Sequence, residues 1–128
     1  MKVASQPTLI TAAEIPQLDR GGVVMSPLAT PEQGATEAIV LRGRVAPGLE
    51  FPSHSHDRQE VLVFLAGSAR GVIGDDEYQI TAGDVLLIPP GIIHSFEATG
   101  GGTLDAIGIT PTGTRTFRPD GEELELKG

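Results

Sequence analysis

The chain has no cysteine and no tryptophan, a single tyrosine and four phenylalanines. Without cysteine there is no disulfide staple, no thiolate metal site and no thiol nucleophile. Its two lysines, Lys2 and Lys127, stand at the extremes of a chain of formal net charge −8, part of it from Asp120, Glu122, Glu123 and Glu125. That balance lacks the basic footprint needed to bind nucleic acid or an anionic membrane. No apolar run reaches 18 residues, and Met1-Lys2-Val3-Ala4-Ser5-Gln6-Pro7 has no continuous apolar stretch like that of a signal peptide. The expectation is a soluble, cytoplasmic protein. No Gly-x-Ser-x-Gly elbow surrounds Ser53 or Ser55, and neither G-x-x-x-x-G-K-[ST] nor G-x-G-x-x-G occurs, so neither a hydrolase triad nor a phosphate cradle is expected.

What the chain does have is punctuation. Seventeen glycines and ten prolines divide short runs rich in Val, Ile and Leu. The runs fall at about 37–46, 59–66, 69–74, 77–81, 84–89, 92–98 and 103–109, and none sustains a 3.6-residue period. Strands of this length and spacing predict an all-β domain: a sandwich, jelly roll or closed barrel. Gly74-Asp75-Asp76 reads as a hairpin tip. Residues 1–36, interrupted by Gly21-Gly22, Pro27 and Pro31, read as an N-terminal arm of extended pieces and turns. Residues 37–117 form the barrel, with a last short strand around Arg115-Thr116-Phe117, and 118–128 an acidic C-terminal tail.

The chemistry-bearing residues are concentrated. All three histidines, His54, His56 and His94, lie beside turns, and Glu60 follows the first two by a few residues. On an extended segment the side chains at i and i+2 share a face, so His54 and His56 can grip one ion from one strand. A corner at Asp57-Arg58-Gln59, itself solvated, returns Glu60 towards them, and Pro89-Pro90-Gly91 starts the strand that carries His94. Three imidazoles and a carboxylate suit one divalent transition-metal ion (Mn, Fe, Co, Ni, Cu or Zn) and not Ca or Mg, which prefer oxygen.

Around these ligands the glycines fall into a fixed frame. Gly48, His54-x-His56, Glu60 and Gly67 resemble the first motif of the cupin superfamily, and Gly83, Pro89-x-Gly91 and His94 resemble its second. The tenth motif position, commonly Asn, is Ala98 here, which removes a hydrogen bond expected to steady the final strand. The resemblance is to a small single-domain cupin. It implies a six- to eight-stranded jelly-roll (double-stranded β-helix) barrel holding a metal through His54, His56, Glu60 and His94 near one open end. It also implies a homodimer. Its members span dioxygenases, isomerases, decarboxylases, lyases, sugar-binding proteins and sensor domains, so the fold does not name a reaction.

Strand alternation places Leu62 and Phe64 on the face of Glu60, and Phe96 on that of His94, with Phe51 near the pocket mouth. Such an apolar pocket favours a small organic substrate over a sugar chain. Arg42 and Arg44 lie opposite Ile39, Leu41 and Val45, which places them outside or at a subunit contact; turned inward, either would anchor a substrate carboxylate. The leading functional expectation is a metal-dependent enzyme, either a dioxygenase or an isomerase or lyase, with Glu60 able to double as a proton shuttle. The alternatives are a non-catalytic module that binds or senses a small molecule through its metal, and a purely structural ion. No DNA-reading helix-turn-helix accompanies the barrel, so a self-contained regulator is not expected. Exposed sheet edges paired across a two-fold axis, with an arm such as 1–30 contributing, are the expected dimer contact.

Overall fold

The computed structural model describes residues 6–125; Lys2, Lys127 and the outer ends of the expected arm and tail lie outside them. Among the described residues twelve strands form two antiparallel sheets. In chain order they are β1 (Leu18–Asp19), β2 (Val23–Ala29), β3 (Ala38–Val45), β4 (Glu50–His56), β5 (Glu60–Ala66), β6 (Ser68–Ile73), β7 (Asp76–Thr81), β8 (Val85–Ile88), β9 (His94–Thr99), β10 (Leu104–Pro111), β11 (Thr116–Phe117) and β12 (Glu123–Leu124). The first sheet runs β1-β2-β3-β10-β5-β8 and the second β12-β11-β4-β9-β6-β7. The chain thus has the expected all-β, two-sheet jelly-roll architecture. Among the described residues no helix is long and apolar enough to cross a membrane.

Turn chemistry sets the corners. Gly74 has φ 61° at the first central position of the two-residue hairpin between β6 and β7, a position where glycine is favoured. Gly67 has φ 78°, and a Cβ there would run into the Thr103 carbonyl oxygen, so only glycine lets β5 turn into β6 at that point.

The core lies between the sheets. Phe64 and Phe96, one from each, meet edge to face with ring centroids 5.6 Å apart. Val45, Ile80, Ile88 and Leu104 complete the buried cluster with Ala69, Ile73 and Ala98. Ala98, where the motif commonly has Asn, is 2% exposed, and its main chain bonds both ways to the segment before β4: Gly48 N–H donates to its carbonyl at 3.0 Å and its own N–H to Leu49 O at 2.9 Å. Backbone bonds therefore hold this strand without the Asn side chain.

The segment before residue 37 contributes more to the sheet than its loose pattern suggests. β2 pairs along β3 from Val23↔Val45 to Ala29↔Val40, with a register shift after Pro27. Pro27 has no N–H to donate, and β1 covers only Val24 and Met25, so the proline falls where the strand is an edge.

Candidate metal centre

Three strands and one corner converge on a point at one end of the barrel. β4 ends at His56 and β5 begins at Glu60, so residues 57–59 reverse the chain between ligands. His94 opens β9 directly opposite His54. The turn before it is tied down by Gly91 N–H, which donates to His56 O at 2.7 Å. The ligand atoms of His54, His56, Glu60 and His94 all lie within 4.8 Å of one another. The His54 ring centroid lies 4.9 Å from that of His56 and 4.3 Å from that of His94.

In each ring Nδ1 is occupied outside the cluster. His54 Nδ1 lies 2.8 Å from Pro52 O and His94 Nδ1 lies 2.9 Å from Ile92 O. Carbonyl oxygens only accept, so both rings donate from Nδ1 and, when neutral, present a bare lone pair at Nε2. His56 Nδ1 lies 2.8 Å from the Thr116 hydroxyl, brought opposite by the β4–β11 pairing.

The inner atoms test whether an ion fits. Nε2 of His56 and of His94 are buried and make no hydrogen bond. Glu60 Oε2 lies 3.4 Å from the first and Oε1 lies 3.2 Å from the second. A neutral ring's lone pair and a carboxylate oxygen at that separation repel unless a cation, either a metal ion or a proton, lies between them. Donors about 2.1 Å from one ion and at right angles would be about 3 Å apart, close to these spacings. Nitrogen and oxygen donors of this kind match a divalent transition ion.

Electrostatics set the same charge states. Burial, with His94 alongside, pushes His54 down to about 4, so its ring is neutral at pH 7. Burial works to raise Glu60, but the facing Nε2 atoms of His56 and His94, when they carry a proton, outweigh it and hold the carboxyl down to about 2. A neutral imidazole and an ionised carboxylate are the forms that ligate.

A cavity of about 70 Å³ opens beside the cluster, with His54 and Glu60 in its wall. Phe51, Leu62, Phe64 and Phe96 line it, with Met25, Leu41 and Leu104; Gly43, Ala106 and Gly108 contribute small surfaces. Phe51 reaches this face through an irregularity: simple alternation would turn it away from His54, and a register shift between Phe51 and His54, at Pro52-Ser53, brings both inward. Arg42 and Arg44 are not among the lining residues. They alternate with Leu41, Gly43 and Val45, and point outward: Arg42 forks onto Asp105 at 2.9 and 2.6 Å, and Arg44 donates to Gln17 at 3.2 Å. The inward alternative for these arginines is therefore set aside, because the apolar face of β3 takes the interior. Thr116 and Gly108 are the site neighbours that sequence reasoning missed. Neither carries a motif, and only strand register places them beside ligands.

Residues 41–110, more than half of the chain, match the family described as Cupin domain. The HTH-type transcriptional activator RhaR of Pectobacterium carotovorum subsp. carotovorum (strain PC1) is 32% identical over 69 residues, 54% of this chain; the match spans about a quarter (24%) of that relative. The polyketide cyclase RemF from Streptomyces resistomycificus superposes with a TM-score of 0.71 at 20% identity, covering 95% of this chain and 88% of its own. A single-substitution variant of the oxalate decarboxylase of Bacillus subtilis gives a TM-score of 0.74 at 19% identity, over 84% of this chain and 31% of its own. At such identities the two structures speak to the fold alone. With the family match, the two-sheet barrel and the His/Glu cluster in agreement, the chain belongs to the cupin family.

Proposed function

We propose that this cupin is a metal-dependent enzyme that binds a small, mostly apolar organic molecule through one oxygen-bearing group. The observation that carries the reading is the buried, unpartnered Nε2 pair of His56 and His94 facing the Glu60 carboxylate beside an apolar cavity. A bound divalent transition ion would supply Lewis-acid or redox chemistry, which is the shared basis of the isomerase, lyase and dioxygenase readings.

The chain's own residues limit the substrate. The cavity of about 70 Å³ opens to solvent, which suits a small molecule whose reacting end enters it. No lysine or arginine is among its described lining residues, so an anionic group on the substrate has no side-chain cation to pair with there. Phe51, Leu62 and Phe96 present apolar surface beside the cluster. Both Glu60 oxygens face histidines and its carboxyl stays ionised, which suits a ligand; a proton shuttle near neutral pH would need a pKa much closer to 7.

A second reading, a binding or sensing module, is favoured by the match to a transcriptional activator. Oxygen uptake and NMR product analysis with metal-loaded protein, across small β-diketones, hydroxy acids and thiols, separate the two. Turnover of one class supports the enzyme. Thermal shifts without turnover across the panel support the binding module.

We further propose a homodimer formed through the outer face of the first sheet. There Val85 and Leu87, each 58% exposed, and Leu65, 46% exposed, continue onto Val61 and Val63 and, across β10, onto Ile107 and Ile109. The Arg42–Asp105 pair at its border is internally neutralised. A second copy of an acidic chain can therefore approach this face without opposing like charges, and sheets pack well through such surfaces.

A further inference from the structure

We propose that Thr116 is a positioning residue of the metal centre, holding His56 through its hydroxyl and making β11 a strap across the metal-bearing end of the barrel. The proposal rests on the metal-centre reading above. Its residue lies beyond positions 41–110, the part of the chain that matches the family.

His56 is the ligand whose outer nitrogen has no carbonyl within its own loop. His54 and His94 each bond a carbonyl two residues back, so local backbone fixes their rings. His56 depends on a partner 60 residues away in sequence. Thr116 is 5% exposed, its hydroxyl lies 2.8 Å from His56 Nδ1, and the strand register sets Thr116 opposite His56 and Phe117 opposite Ser55. An Nδ1–H donated to this oxygen leaves the Nε2 lone pair facing the cluster, and fixes the ring plane.

The strap is latched on both sides of that contact. Asp57 N–H donates to Arg115 O at 3.1 Å, and Arg115 N–H donates to Asp57 Oδ1 at 2.8 Å, so the residue after His56 and the residue before Thr116 are bonded reciprocally. Beyond it, β12 pairs with β11, and the Arg115 guanidinium donates to Glu123 at 2.6 Å while lying 5.3 Å above the Phe117 ring. Backbone bonds therefore seat β11 independently of the hydroxyl. Removing that hydroxyl should disturb His56 without unseating the strand.

The test is Co²⁺ titration of the full chain, followed by the ion's visible absorption, for wild type, Thr116→Val and Thr116→Ser. Val keeps the branched shape and loses the hydroxyl; Ser keeps the hydroxyl and loses a methyl. The expected result is a roughly 10- to 100-fold weaker affinity and an altered spectrum for Thr116→Val, with Thr116→Ser within about threefold of wild type. Equal affinity for Thr116→Val and wild type overturns the proposal, and so does a Ser variant as impaired as the Val variant. Failure of wild type to bind one equivalent overturns the metal-centre reading itself. Should Thr116→Val not fold, Zn²⁺-loaded wild type decides by NMR: a His56 Nδ1 proton protected from exchange is expected, and a rapidly exchanging or absent one overturns the proposal.

Discussion

A Cβ added at Gly108 would lie 2.8 Å from Glu60 Oε2. Gly108 is on β10, paired with Leu62 of the neighbouring strand, and the carboxylate of Glu60 crosses the space a side chain would fill. What gives way is the far end of a flexible side chain, so the fold should tolerate alanine while the ligand does not. Gly108→Ala is expected to weaken metal affinity on the order of tenfold or more, with little change in the melting temperature of the metal-free protein. In a Glu60→Ala background the same substitution should add nothing, because its effect runs through the carboxylate. Calorimetric metal titration of the four proteins checks this.

Acid should destabilise the metal-free protein in a defined window. The folded state holds His54 at about 4 against an ordinary 6.5, so between those values the unfolded chain binds more protons. The contribution is complete above pH 6.5 and is lost as pH falls through about 4, amounting to on the order of 3 kcal/mol. Glu60 acts in the same direction at lower pH: its contribution is present above about 4.5 and is lost as pH falls through about 2. Urea unfolding with chelator at about pH 7.5, 5 and 4 should show a falling midpoint, and His54→Gln should flatten the upper part of that fall.

Phe64, 2% exposed and stacked edge-on against Phe96, joins the two sheets behind the site. Phe64→Ala should cost about 3–5 kcal/mol through lost burial and the cavity left behind. Equilibrium unfolding near neutral pH measures it. A cost below about 1 kcal/mol would show that the sheets do not pack as described.

Arg42→Ala and Asp105→Ala test the outward placement of the arginine. The Arg42 side chain is 38% exposed, so the pair should contribute no more than about 1 kcal/mol. Metal affinity and any small-molecule thermal shift should be unchanged. Loss of ligand response in Arg42→Ala would mean that the guanidinium reaches the pocket.

The proposed dimer is checked by light scattering. Wild type should give twice the chain mass, and Leu87→Glu with Val63→Lys should give one chain mass at an unchanged fold. A monomeric wild type contradicts the proposed face.

The convergence of the three histidines and Glu60 was legible in the sequence because each part of it is local. His54 and His56 obey strand alternation, a three-residue corner returns Glu60, and Pro89-Pro90-Gly91 announces the strand that begins with His94. The barrel's middle strands were legible from the same punctuation. What was not legible depends on pairing between distant segments. β2 was hidden because Gly21-Gly22 and Pro27 read as interruptions, whereas the strand lies on an open edge beside β3, where a proline is tolerated. The inward turn of Phe51 needs a bulge that alternation does not foresee. Thr116 and Gly108 look like ordinary strand residues until register sets one against His56 Nδ1 and the other beneath Glu60.

Metal content decides whether the His/Glu cluster holds an ion. Protein purified without added metal and measured by elemental mass spectrometry should carry close to one divalent transition ion per chain, and His54→Ala and His94→Ala should carry almost none. Wild type without stoichiometric metal, at a content no different from the two variants, would contradict the account.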